Sequence, residues 1–209
     1  MDTAALITAF VTLFVIIDPV GIVPLFIAVT RGMTPPMRRR IGLRACLVAI
    51  GLLTVFGIFG DKVLEFVGIS MPAFQIAGGI LLFLTALDML FERRTKRREG
   101  QTKEAEDPHY DPSVFPLAMP LIAGPGAMAT MVLLAGAPGT TWPQALSILG
   151  VMIAVISLTF AMVLTAGLLE RVLGPTGINV VTRLLGMLLA ALSVQFVLDG
   201  LRAFGLTAA

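Results

Sequence analysis

The chain has 209 residues, of which 57% are hydrophobic and only 13% charged, with a formal net charge of +2. A soluble domain carries roughly 25% charged residues, so about half of the expected solvated surface is missing. That excludes an ordinary cytosolic enzyme, a disordered chain and a nucleic-acid binder, and points to a polytopic membrane protein.

A spanning helix takes about 20 mostly apolar residues. Six segments qualify: about 4–30, 41–60, 72–91, 114–137, 143–169 and 180–201. No stretch alternates strictly enough for a membrane strand. The first span reads as a retained helix rather than a cleaved signal, because Met1-Asp2 lacks a basic start and the apolar run exceeds signal length. Within it, Asp18-Pro19-Val20-Gly21-Ile22-Val23-Pro24 interrupts the helix. Asp18 then Pro19 reads as the cap and first residue of a restarted half-helix. Counted from residue 4, Asp18 lies roughly 21 Å along, well inside the hydrocarbon.

The basic residues set the expected orientation. Arg31, Arg38, Arg39, Arg40 and Arg44 follow the first span; Arg93, Arg94, Lys96, Arg97, Arg98 and Lys103 follow the third; Arg171 precedes the sixth and Arg183 stands at its start. With both termini outside, the loops 31–40, 92–111 and 171–179 are cytoplasmic, and only Lys62 and Arg202 of the 15 basic residues lie outside. The expected location is the cell (inner) membrane. The segment Glu92 to Asp111, with His109 and Tyr110, has 12 charged residues in 20 and reads as a solvated connector.

On span three, Gln75 reads as interhelical glue, Gly78-Gly79 as a close-packing point and Asp88 as interfacial. Span four is interrupted like span one, by Pro116-Leu117-Ala118-Met119-Pro120 and then Gly124-Pro125-Gly126, with Gly124 in the capping place. The uncharged run Ala137 to Pro143, with Trp142, turns the chain into span five. On span six, Gln195 again reads as glue. Arg183 reads as a snorkelling anchor, or as a guanidinium clamp on a carboxylate. The single Cys46 excludes an internal disulfide, and His109 alone makes no histidine metal site; no cofactor or metal is expected.

The two halves align. At an offset of 106, Pro19 meets Pro125 and Gly68 meets Gly174; at 107, Gly79 meets Gly186. Three spans per unit is odd, so the second unit enters the bilayer from the opposite side, an inverted repeat of the kind transporters use. The expected fold is therefore an all-α membrane protein. It has six transmembrane helices in two inverted three-helix repeats (1–91 and 112–209), within one membrane domain over 1–209, with spans one and four discontinuous. Two half-helix N-termini meeting near the midplane would carry unpaired amides and partial positive charge, suiting a small carboxylate. The plainer alternative is that the prolines only bend packed helices.

Asp18-Pro19-x-Gly21-x-x-Pro24-x-Phe26 resembles the MarC family of six-helix membrane proteins. So do Pro116-Leu117-Ala118-x-Pro120 with Gly124-Pro125-Gly126, Ala77-Gly78-Gly79, and Thr182-Arg183-x-x-Gly186. The resemblance covers essentially the whole chain. It implies the inverted three-plus-three fold and kinship with transporters of small neutral amino acids, favouring glycine and alanine, coupled to a proton or cation gradient.

The expected function is secondary transport of a small zwitterion such as glycine, alanine or serine, with Asp18 also serving ion coupling. Alternatives are export of another small solute, or a non-transporting sensor or scaffold. An enzyme is not expected, since an acid pair of Asp18 with Asp88 would need Asp88 deep in the membrane. The expected substrate-binding residues are Asp18, Pro19, Gly21, Pro24, Gly124, Pro125, Gly126, Gln75, Gln195 and Arg183. Expected partners are the substrate, a proton or cation and the lipid bilayer, with room for a homo-oligomer.

Overall fold

A computed structural model describes residues 3–91, 111–136 and 139–205. The connector 92–110, with His109 and Tyr110, and residues 137–138 of the expected turn lie outside the described residues. Helix is the only regular structure among those described. It forms α1 (Thr3–Ile17), α2 (Pro19–Val29), α3 (Pro35–Val67), α4 (Met71–Leu90), α5 (Ser113–Ile122), α6 (Pro125–Ala135), α7 (Trp142–Leu164) and α8 (Ala166–Ala203).

Prolines and glycines place the boundaries. Pro19, Pro35, Pro72, Pro125 and Pro143 each stand in the first two positions of a helix, where a missing N–H costs nothing. Gly68 ends α3 in the left-handed region at φ 81°, and the Ile69 N–H reaches back to the Leu64 carbonyl at 2.8 Å, a Schellman closure. At the start of α7, the Thr141 N–H is satisfied by Gln144 Oε1 at 2.8 Å. In α5 the turns widen to π type, and Phe115 and Met119 are extended at φ −124° and −130°. Each precedes a proline, whose ring pushes its predecessor out of the helical region.

Five helical stretches are long and apolar enough to cross a membrane: Thr3–Val29, Pro35–Val67, Met71–Leu90, Trp142–Leu164 and Arg171–Ala203. The expected span 114–137 is not among them, because its breaks leave α5 and then α6, which has 11 residues. Two expected loops are corrected. The loop 31–40 shrinks to the turn before Pro35, and 171–179 is helical on both sides of an elbow at Gly174 (φ 61°, ψ 174°). Arginine is a good helix former, so its presence marks where a helix meets water and not where it ends. Consistent with this, Arg39, Arg40 and Arg44 stay exposed on α3.

In lipid the driving force between helices is contact packing, which small residues improve by letting backbones approach. The longest seam joins α4 to α8. There a Cβ placed on Gly79 would stand 2.8 Å from the Ser193 carbonyl, and one on Gly186 would stand 3.3 Å from the Ala86 carbonyl. Helix α3 packs on α5, α6 and α7, and α7 packs on α1 and α2. The buried core lies among these, with Leu13, Ile17, Ile22, Leu53, Leu82, Met131, Met152 and Ile156 fully enclosed. At the end bearing the arginines, Asp111 ties the entry of α5 to α3. Its Oδ1 accepts from the Ser113 N–H and hydroxyl, and its Oδ2 pairs with Arg44. The Ser113 hydroxyl, with the Arg44 guanidinium beyond it, holds the Asp111 carboxyl below the usual carboxylate range.

Candidate functional site

Asp18 is the single residue between α1 and α2. A residue before proline is disfavoured in the right-handed helical region, and Asp18 takes the left-handed one instead, at φ 53° and ψ 64°. Aspartate tolerates that conformation better than most side chains. Each polar group of its backbone serves one helix. The N–H donates to the Phe14 carbonyl at 3.0 Å, closing α1, and the carbonyl accepts from Ile22 at 3.2 Å, opening α2. Its Oδ1 accepts from the Gly21 N–H at 3.1 Å, the capping bond. The residue is fully buried, at 0% exposure. A carboxylate thus lies against the positive end of α2.

The start of α6 is built differently. Gly124 stands in the capping position in an extended conformation (φ −77°, ψ 169°) and, having no side chain, brings no capping oxygen of its own to the first amides of α6. Pro125 supplies the first helical residue and is exposed, while Ala127 is buried. Gly126 faces inward: a Cβ there would lie 3.0 Å from Leu82 Cδ2 and 3.5 Å from Ile16 Cγ2. Ile16 is two residues before Asp18. The fold therefore brings the two helix breaks side by side, one closed by its own carboxylate and the other open.

Of the expected site residues, Asp18, Pro19, Gly21, Gly124, Pro125 and Gly126 lie at these breaks. The remaining four do not. Pro24 sits inside α2 with its ring exposed, because α2 continues past it and the interruption is confined to Asp18. Gln75 is half-buried near the start of α4, about two turns before Leu82, the α4 residue that meets Gly126. Gln195 is exposed on α8, and its Nε2 donates to Asp199 Oδ1 at 2.8 Å, which also accepts from Arg202 at 3.2 Å. The expected bond to another helix is replaced by one along its own helix at i,i+4 spacing. Arg183 is exposed on α8, one turn before Gly186, which packs on Met89 at the far end of α4.

Two buried hydroxyls near the breaks escape a reading of the sequence: Thr12 on α1 and Thr130 on α6, at 2% and 0% exposure. Threonine is unremarkable in an apolar helix. The available signal was the spacing of four between Gly126 and Thr130, which places both on one helical face.

Residues 3–204, nearly the whole of the chain, match the family described as MarC family integral membrane protein. This chain belongs to the MarC family. Among its relatives, a UPF0056 membrane protein of Aquifex aeolicus is 39% identical over 196 residues, covering 93% of this chain and 91% of the relative. A UPF0056 membrane protein of Archaeoglobus fulgidus is 37% identical, covering 92% and 90%. The UPF0056 inner membrane protein YhgN of Escherichia coli is 35% identical, covering 94% and 96%. No solved structure matches. As a MarC protein with several apolar helices, the chain is an integral membrane protein.

Proposed function

We propose that this MarC protein is a secondary transporter of small neutral amino acids of the glycine, alanine and serine kind, driven by a proton or cation gradient. The observation that carries the reading is the pairing of a fully buried carboxylate, Asp18, with the uncapped start of α6 beside it. A zwitterion has one group for each: its ammonium for Asp18, and its carboxylate for the amides at Gly126 and Ala127. Ile16 and Leu82 against Gly126 leave little width there, which favours a small side chain. The chain carries no nucleotide-binding motif, so an ion gradient supplies the energy, with Asp18 as the coupling group.

Three pairings support an arrangement of six spans in two inverted repeats. Pro19 and Pro125 both open half-helices. Gly68 and Gly174 both adopt positive φ. Gly79 meets α8 at Ser193 and Val197 as Gly186 meets α4 at Ala86 and Leu90, positions related by the same offset of 107. Such halves give two nearly equivalent states, open to either side.

The direct test is counterflow of labelled glycine into proteoliposomes holding the purified protein; no exchange above protein-free vesicles overturns the reading. Gly126→Ala provides a finer check. The added methyl presses only on the flexible end of Leu82. Insertion and abundance should stay near wild type while glycine exchange falls about tenfold, the scale of one misplaced carbon in a fitted pocket. Undiminished exchange would place the site elsewhere.

Both termini are proposed to lie outside. Thr34→Cys, at the exposed start of α3, should then react with an impermeant thiol reagent only after the membrane is opened. Thr140→Cys should react in intact cells. Cys46 does not compete, because it is buried at 5% exposure rather than lying open at one face. The reverse labelling pattern would invert the orientation.

A further inference from the structure

Threonines in these helices follow a common habit. The hydroxyls of Thr8, Thr30, Thr85, Thr159 and Thr165 each donate to the carbonyl four residues back, at 2.7–3.0 Å. Thr130 does not. It is fully buried, and its Oγ1 has no hydrogen-bond partner among the described residues. Thr182 Oγ1 shares that lack, but its residue is only half-buried. A buried hydroxyl without a partner is costly, so the position of Thr130 needs a physical reason.

Its surroundings supply one. Thr130 lies one turn beyond Gly126 on the same face of α6, and helical side chains lean toward the N-terminus of their helix. Its Cβ therefore tilts toward the first turn of α6. The neighbouring faces are separately occupied: Ala129 and Leu133 meet Gly78 of α4, while Met131 and Val132 meet Gly57 and Gly60 of α3. Helix α1 ends at the level where α6 begins, with Ile16 beside Gly126, so the two pass antiparallel. Thr12, one turn before Ile16, then comes level with Thr130, and it too is buried. From Asp18 to Thr130 the separation along the axis is about 9 Å, two residues on one helix and four on the other at 1.5 Å each. That spans one small zwitterion with a hydrogen bond at each end.

We propose that the Thr130 hydroxyl is a substrate contact, donating to the carboxylate of a bound small amino acid at the pole of the site opposite Asp18, one turn along α6 from its first amides. This deepens the transporter reading and rests on it. The test uses the full chain in proteoliposomes and labelled glycine as the probe, comparing wild type with Thr130→Val, which keeps the shape and removes the hydroxyl. The KM for glycine counterflow should rise about tenfold or more, the scale of a lost hydrogen bond to a charged group. The thermal midpoint should stay equal or rise, since an unpartnered buried hydroxyl is gone. Thr130→Ser and Thr130→Ala form a second pair that differs only by the hydroxyl, so Ser should hold a KM near wild type and Ala should not. Equal KM for Ser and Ala, or a wild-type KM for Val, overturns the role of Thr130 while leaving transport intact. A wild-type protein that exchanges no glycine removes the transporter reading and this contact with it.

Discussion

Asp18→Asn should yield a protein that inserts and folds normally yet loses gradient-driven glycine uptake, or the pH dependence of that uptake. Asparagine caps a helix about as well as aspartate and shares its tolerance of the left-handed conformation, so both structural duties of Asp18 survive the change. The charge does not survive. A carboxylate in the middle of a membrane is expensive unless paired or protonated, and under the proposed function Asp18 is the group that couples the ion. Asp18→Ala behaves differently, because it removes the cap to Gly21, worth about 1 kcal/mol, and also leaves a side chain at φ 53°. The left-handed conformation costs it roughly 1–2 kcal/mol more. Unchanged, pH-dependent uptake by a well-expressed Asn variant would reduce Asp18 to a cap. A low thermal midpoint for Asn would contradict the described geometry itself.

The second large effect lies away from the site. Gly79→Ala should lower stability by about 1–3 kcal/mol, the range for overpacking a well-fitted interior. The new Cβ would stand 2.7 Å from Val197 Cγ2, 2.8 Å from the Ser193 carbonyl and 3.1 Å from the Val197 nitrogen. Two of these atoms belong to the α8 backbone and cannot rotate aside. Gly186→Ala should act in the same sense, 2.9 Å from Met89 Cβ. The double variant should lose less than the sum, because the seam is already parted by the first change. Gly51→Ala is the control: nothing lies within 4 Å of its added methyl, so the thermal midpoint should hold or rise with the better helix former. Equal losses at Gly51 and Gly79 would mean that glycine acts through flexibility and not through the α4–α8 seam.

The helix breaks were legible because proline and glycine carry their structural meaning in a single residue. Asp18-Pro19 and Gly124-Pro125 read directly as helix starts, and the structure places them so. Helix ends near charge were less legible. The Arg38–Arg40 cluster suggested a loop, yet a helix projecting into water holds arginines as readily as a loop does. Side-chain partners were the least legible. Gln195 could bond across to another helix or along its own, and only the position of Asp199 four residues on decides it. Thr130 was invisible for a related reason, since burial and the absence of a partner belong to the assembled helices and not to the residue.

Helix α3 also has consequences for the lipid around it. Between Arg44 and Asp61 its uncharged stretch, Ala45 to Gly60, is 16 residues long. At 1.5 Å per residue that reaches only about 24 Å, against a hydrocarbon thickness of about 30 Å. Arg44 can meet the shortfall with its long stem and already pairs with Asp111. Asp61 has no such reach. Its Oδ1 is buried without a hydrogen-bond partner among the described residues, and its Cβ is held 3.1 Å from where a Cβ on Gly136 would stand. Beyond what the neighbouring exposed Lys62 can meet by reaching outward, the acyl chains beside this end of α3 are expected to compress. Such a protein packs best among shorter lipid tails.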